Sequence, residues 1–207
     1  MPWKGESLCA HKQILGRGFF AFSQRNAYNV LIMKKVLLVL NGSMCAGKST
    51  VTTALMERYH FFNASYDKIK WLISDFSADI EEHRRIAQEI TFQTISEAMN
   101  QGLSVIIDGG QHKYRERYEK IVKEHNFDYI SVNIEAPYEI LRERFAARIA
   151  AGKKIDRPQI TVTTVEGFDL RYNWYMNENK DQKAVITLDS NMLDLEEIIL
   201  QIETLIA

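Results

Sequence analysis

The chain has 207 residues, room for one ordinary domain, with 46% apolar and 26% charged side chains, a composition that buries a core and argues against disorder. Lysine and arginine number 26 against 27 aspartates and glutamates, a net charge of −1, which excludes a strongly basic nucleic-acid coat or membrane-surface protein while permitting a local basic groove. Two cysteines, Cys9 and Cys45, make neither a disulfide framework nor a four-ligand zinc site by themselves, and no apolar run approaches the roughly 18 residues of a membrane span. The expectation is a cytoplasmic protein without a membrane segment.

Residues 1–32 carry four basic side chains and one acidic one, a charge of +3, leaving −4 on the remainder. They show no steady period, lack the apolar stretch and cleavage site of a secretory signal, and are too poor in arginine for a good transit peptide. They are expected to be an N-terminal extension with little fold of its own, followed by one domain over 33–207. From Val36 short apolar runs alternate with helical patterns. Val36–Leu40 is a continuous apolar run of strand length, as expected of a strand buried on both faces. Phe61–Ala64, Leu103–Ile107, Tyr129–Ile134 and Ala184–Leu188 follow as further strands. Between them, Val51, Ala54, Leu55 and Tyr59 share one helix face, and Ile86, Ala87, Ile90, Thr94 and Ala98 share another. Leu195, Ile198, Ile199, Ile202, Leu205 and Ile206 keep a 3.6-residue period behind Asp194 and Glu197, which stand at capping-box spacing. Strand–helix alternation of this kind predicts an α/β fold: a mainly parallel five-stranded sheet with helices on both faces.

Directly after the first strand comes Gly42-Ser43-Met44-Cys45-Ala46-Gly47-Lys48-Ser49, followed by Thr50, which fits the phosphate-binding pattern G-x-x-x-x-G-K-[ST]. Glycine at 42 and 47 opens backbone angles closed to other residues, so that successive N–H groups turn toward a phosphate. The helix that starts near Gly47 adds its positive end. Lys48 is expected to reach the β- and γ-phosphates, Ser49 to ligate Mg²⁺, and Thr50 to bond a further phosphate. Gly42, Ser43, Met44, Cys45, Ala46, Gly47, Lys48, Ser49 and Thr50 therefore form the predicted nucleotide site, a P-loop for ATP. Cys45 inside it reads first as a small side chain in a tight turn.

Three features select among P-loop chemistries. Asp67 lies just past the second strand, on the sheet edge where strand ends converge, and is placed to accept a hydroxyl proton and aim the oxygen at the γ-phosphate. The competing reading is a helix N-cap. Asp108 ends the apolar strand Val105-Ile106-Ile107, where a carboxylate meets Mg²⁺ beside Ser49; its alternative is to start the turn at Gly109-Gly110. After Pro137 a helix carries Arg142, Arg144 and Arg148 opposite Leu141, Phe145 and Ile149. Arg144 and Arg148 on a closing lid would neutralise phosphate charge and exclude water, whereas a solvated face tied to Glu139 and Glu143 is the plain alternative. The length leaves no room for the sensor modules of a rotary motor, and no Asn/Thr-Lys-x-Asp guanine-reading motif occurs.

These residues resemble a group of small P-loop kinases: the 5′-hydroxyl polynucleotide kinase domain, the zeta-toxin kinases and chloramphenicol phosphotransferase. The resemblance runs from about Lys34 to the C-terminus. It rests on the loop at 42–49, Asp67 with a basic residue three later, GLSVIID at 102–108, and the strand–Ala-Pro–Arg-rich helix at 129–151. It implies a P-loop fold with a helical lid, ATP with Mg²⁺, and a catalytic aspartate where Asp67 stands. Lys70 replaces the arginine that nucleic-acid kinases place three after that aspartate, and Asp108 is followed by Gly109-Gly110-Gln111, which weakens the nucleic-acid reading. The function expected is transfer of the γ-phosphate of MgATP to a hydroxyl of a small molecule. Asp67 would act as base, with Lys48, Arg144 and Arg148 stabilising charge. The alternatives are a 5′-hydroxyl nucleic-acid kinase, in which Tyr66, Trp71, Phe76 and Tyr114 could stack on bases although their helical spacing reads first as core packing, and an ATP-binding regulatory module with slow hydrolysis.

Overall fold

The computed structural model describes residues 34–73, 79–109, 112–151, 162–180 and 183–207. The extension expected over residues 1–32 lies outside them. Five strands form one parallel sheet: β1 (Val36–Asn41), β2 (Phe62–Asn63), β3 (Val105–Asp108), β4 (Asp128–Glu135) and β5 (Ile186–Asp189), in the order β2-β3-β1-β4-β5. Every β1 residue is buried, as a strand central to a sheet covered on both faces requires. Leu37 pairs with Val105 on one side and Tyr129 on the other, and Leu40 pairs with Asp108 and Val132, which sets the carboxyl ends of β3 and β4 beside the end of β1.

The connections are helical: α1 (Lys48–Tyr59), α2 (Tyr66–Leu72), α3 (Ile80–Asn100), α4 (Arg115–His125), α5 (Tyr138–Ala150), α6 (Val165–Asn179) and α7 (Leu195–Ile206). On one face Leu37, Val39, Val105 and Ile107 pack with Phe92, Ile95 and Met99 of α3 and Tyr118, Ile121 and Val122 of α4. Strand alternation turns Leu38, Leu40 and Ile106 to the opposite face, all three fully buried. There α1 packs on α7, and Arg58 of α1 forks between Glu196 and Glu203 of α7 at 2.8 Å each. Tyr138 and Phe145 of α5 stack with Phe168 and Tyr172 of α6, joining the two helices that stand over the end of β4.

Strand boundaries shift toward the site relative to the sequence reading. Leu103 is 44% exposed and belongs to the turn, its amide bonded to the carbonyl of Ala98, so β3 starts at Val105 and includes Asp108. β5 starts at Ile186; Val185 just before it is exposed, although its amide still donates to the carbonyl of Ser131 in β4. The buried stripe of α3 is Ala87, Thr91, Ile95 and Ala98, with Phe92 and Met99 beside it; Ile86, Ile90 and Thr94 are half-buried on its margin. Ile149 of α5 is exposed where Leu141 and Phe145 are buried, since the stack against α6 ends before it. Asp194 and Glu197 do form the reciprocal capping box, with bonds of 2.9 and 2.8 Å. Asp194→Ala should cost about 1 kcal/mol of stability. Urea denaturation checks this, and an unchanged midpoint would mean that α7 is held by its apolar face alone.

Candidate functional site

The turn after β1 is shaped by two glycines with different reasons for being glycine. Gly42 has φ +138°, and a Cβ there would stand 2.0 Å from the carbonyl oxygen of Ile134 in β4. Gly47 has φ +99°, and a Cβ there would meet nothing within 4 Å. Cys45 also takes a left-handed conformation, φ 66°. Between them Gly42, Ser43 and Ala46 are buried, Met44, Cys45, Gly47 and Lys48 half-buried, and Ser49 and Thr50 exposed. Gly47 is the N-cap of α1 and no side chain bonds its free amides, so the first turn keeps N–H groups available to an anion.

Lys48 donates from Nζ to the carbonyls of Gly42 at 2.9 Å and Ser43 at 2.7 Å, spanning the loop from inside. Burial lowers its pKa, while the carboxylates of Asp108 and Asp67 act in the opposite sense and favour the charged ammonium. Ser49 Oγ donates to Asp108 Oδ2 at 2.9 Å, joining the start of α1 to the end of β3. This pair suits magnesium: two hard oxygen donors leave the other positions to water and phosphate oxygens. Among the described residues no cluster of three or more His, Cys, Asp or Glu side chains forms a protein-only metal cage.

Asp67 lies in the first turn of α2, but it is not the cap. Ser65 is the N-cap, accepting from the amide of Lys68 at 3.4 Å. The Asp67 side chain is exposed, and its charge reaches Lys48.

The arginines of α5 divide. Arg142 bonds Asp169 of α6, as does the hydroxyl of Tyr138, so it ties two helices together and does not pair with Glu139 or Glu143. Arg144 donates to Ser190 Oγ at 2.9 Å and to the Ser190 carbonyl at 2.8 Å, with a longer 3.5 Å contact to the carbonyl of Cys45. That places its guanidinium between the P-loop and the turn after β5. Arg148, one turn on, acts electrostatically on the Cys45 thiol. Tyr175 of α6 is half-buried beside Gly42, and this burial pushes its phenol up to about 12.

Sequence spacing did not reveal Ser190, Tyr175, Arg84 or Arg171 as members of this region. Arg171 acts electrostatically on Lys70 and feels Asp67 and Tyr66, although it lies far along the chain from all three. Of the aromatics weighed between core packing and base stacking, Tyr114 packs edge-on against Phe92 at the margin of the core, Trp71 is exposed, and Phe76 lies outside the described residues. Residues 152–161 of the expected lid also lie outside them.

A strand ending in a phosphate-binding loop, with a carboxylate at the tip of the neighbouring strand and a parallel sheet behind, defines a P-loop nucleotide-binding fold. The chain belongs to the AAA domain family, whose profile matches residues 38–172. No curated protein matches it by sequence. Solved structures share the fold. A candidate kinase from Chloroflexus aurantiacus superposes with TM-score 0.63 at 18% identity, over 83% of this chain and 98% of its own. Shikimate kinase from Bacteroides thetaiotaomicron gives 0.56 at 15%, over 82% and 97%. The APS kinase CysC of Mycobacterium tuberculosis, in complex with AMPPNP and APS, gives 0.51 at 12%, over 83% and 97%. No helix among the described residues is long and apolar enough to cross a membrane.

Two predictions test the loop. Gly42→Ala should destabilise the protein more than Gly47→Ala, whose cost is only the strain of a left-handed alanine, about 1–2 kcal/mol; equal urea midpoints would contradict the clash with β4. Burial pushes the Cys45 thiol up, against the pull of Arg148, Lys48 and Arg144. Because the thiolate is the reactive form, alkylation of Cys45 by iodoacetamide should be slower at neutral pH than that of an unperturbed cysteine, and should accelerate only at more alkaline pH than a free thiol requires. Saturating MgATP should suppress it. Peptide mapping separates it from Cys9, and equal labelling with and without MgATP would place Cys45 away from bound nucleotide.

Proposed function

We propose that the protein is an ATP-dependent phosphotransferase that moves the γ-phosphate to a hydroxyl of a small-molecule acceptor. The observation that carries this reading is that two carboxylates of different attachment both act electrostatically on Lys48. Asp108 is bonded to Ser49 on the metal side, whereas Asp67 stands outside that bond on a separate helix. A protein that only held nucleotide would need the first carboxylate and not the second. The capping of α2 by Ser65 supports the same reading, because it leaves the Asp67 carboxylate without the local task that best explained it otherwise.

In this mechanism the amides of the loop and of the first turn of α1 hold the triphosphate, and Lys48 turns its ammonium from the Gly42 and Ser43 carbonyls to phosphate oxygens. Ser49 and Asp108 would hold magnesium, which when bound would supply charge neutralisation on the triphosphate. Asp67 accepts the acceptor's hydroxyl proton as the oxygen bonds to the γ-phosphorus and the bond to the β–γ bridging oxygen breaks, leaving ADP. Arg144, already oriented by Ser190, and Arg148 beside Cys45 face the phosphates from α5 and offset developing charge. The fold shared with shikimate and APS kinases, each named for a small acceptor, is in keeping with such chemistry.

Asp67→Asn should reduce phosphate transfer by about 100-fold or more while ATP affinity stays nearly intact. γ-Labelled ATP incubated separately with a metabolite pool and with 5′-hydroxyl oligonucleotides reads both acceptor classes. Transfer that survives Asp67→Asn would make Asp67 structural. Transfer to oligonucleotide ends alone would replace the small-molecule reading, and hydrolysis without transfer would leave a regulatory ATP-binding module.

A further inference from the structure

Among the described residues Arg144 differs from the other hydrogen-bonded arginines in the kind of atom it meets. Arg58, Arg84, Arg115, Arg117 and Arg142 each pair with a carboxylate. Arg144 pairs with none among the described residues. It donates from Nη1 to Ser190 Oγ at 2.9 Å and from Nη2 to the Ser190 carbonyl at 2.8 Å, with the longer contact from Nη1 to the Cys45 carbonyl at 3.5 Å. Its charge is aimed but not neutralised, on a half-buried side chain. Ser190 is itself fixed to the sheet edge. Its amide donates to the carbonyl of Glu135 at the end of β4, and Asp189 closes the turn beyond it by accepting from the amides of Asn191 at 2.7 Å and Leu193 at 2.9 Å.

A guanidinium carries five N–H donors in one plane. Ser190 takes one from each terminal nitrogen, and the Cys45 carbonyl faces the second on Nη1. Left over are Nε–H and the second Nη2–H, a parallel pair on the adjoining edge with no acceptor among the described residues. A pair of this kind grips two oxygens of a carboxylate or phosphate at once. Cys45 belongs to the P-loop, so the anion within reach of that edge is a nucleotide phosphate. An arginine serving only to join elements ends on a carboxylate, as Arg142 does on Asp169. Held by neutral oxygens instead, Arg144 keeps its charge whole for a ligand and has already lost the rotamer freedom that gripping one would cost.

We infer that Ser190 is a positioning residue for nucleotide binding: its hydroxyl and carbonyl occupy one edge of the Arg144 guanidinium, and so present the other edge, Nε–H with Nη2–H, to two phosphate oxygens of a nucleotide in the P-loop. The inference deepens the phosphotransferase reading and rests only on its nucleotide-binding part. Ser190 touches no reacting atom and acts through Arg144. A turn at the end of β5 thereby sets the aim of a charge carried on α5.

AMP-PNP with magnesium, and separately adenosine, are titrated into the full chain by calorimetry. Ser190→Ala should weaken AMP-PNP about tenfold, the usual worth of a hydrogen bond to a charged group, and leave the affinity for adenosine, which has no phosphate, unchanged. Ser190→Thr keeps the hydroxyl and should stay within about twofold of the wild type. Arg144→Lys keeps the charge without the paired donors and should lose at least as much as Ser190→Ala. In an Arg144→Ala background Ser190→Ala should add nothing, because the serine has no other route to the nucleotide. Circular dichroism checks that each variant folds; if Ser190→Ala does not, Ser190→Cys, with a weaker acceptor of similar size, is read in its place. Undiminished AMP-PNP affinity without the hydroxyl, an equal loss for adenosine, additive losses in the double variant, or full affinity in Arg144→Lys would each overturn the inference while leaving the phosphotransferase standing. Hydrolysis without transfer would remove the phosphotransferase reading alone, and failure of the wild-type chain to bind AMP-PNP would overturn both.

Discussion

The carbonyl oxygen of Ile134 occupies the place where any side chain at position 42 would begin. This contact between the exit of β1 and the backbone of β4 sets the path of the P-loop, because the chain passes the neighbouring strand only as bare backbone. From there the loop closes on Lys48, whose ammonium bonds the carbonyls of residues 42 and 43. The same turn delivers Ser49 to Asp108 at the end of β3. A parallel sheet with β1 at its centre makes the arrangement possible, since β3 and β4 both finish beside the glycine and each contributes a wall.

Around that frame the helices divide the work by charge. α1 and α7 clasp each other through Arg58 and two glutamates, far from the chemistry. α5 gives up Arg142 to hold α6 through Asp169, and its next two arginines then face the loop. α6 lays Tyr175 on Gly42 and carries Arg171 toward Asp67. The stack of Tyr138, Phe145, Phe168 and Tyr172 couples this helix to α5.

Much of this was legible from local pattern. The apolar run at Val36–Leu40, the glycines and lysine of the loop, and the Asp194/Glu197 box are each specified by residues close in sequence, where period and spacing carry the information. Strand starts were harder. Leu103 and Val185 look like strand residues by hydrophobicity, yet both are exposed, because turn geometry at Gly102 and the short edge strand β5 override composition. The role of Asp67 was ambiguous for a similar reason: Ser65 and Asp67 are both capping residues, and only the backbone angles of the junction decide between them.

By itself, the sequence determined a phosphate-binding loop between a buried strand and a helix, within an alternating α/β chain, because those features depend on neighbours a few residues apart. Tertiary structure alone decided that Arg144 is held by Ser190 and that Arg142 ties α5 to α6 through Asp169. These side chains are brought together by the crossing of separate helices over a common sheet edge. Charge carries no mark of its spatial neighbours in a one-dimensional pattern, so spacing along α5 could not tell which arginine faces the loop and which is taken by Asp169.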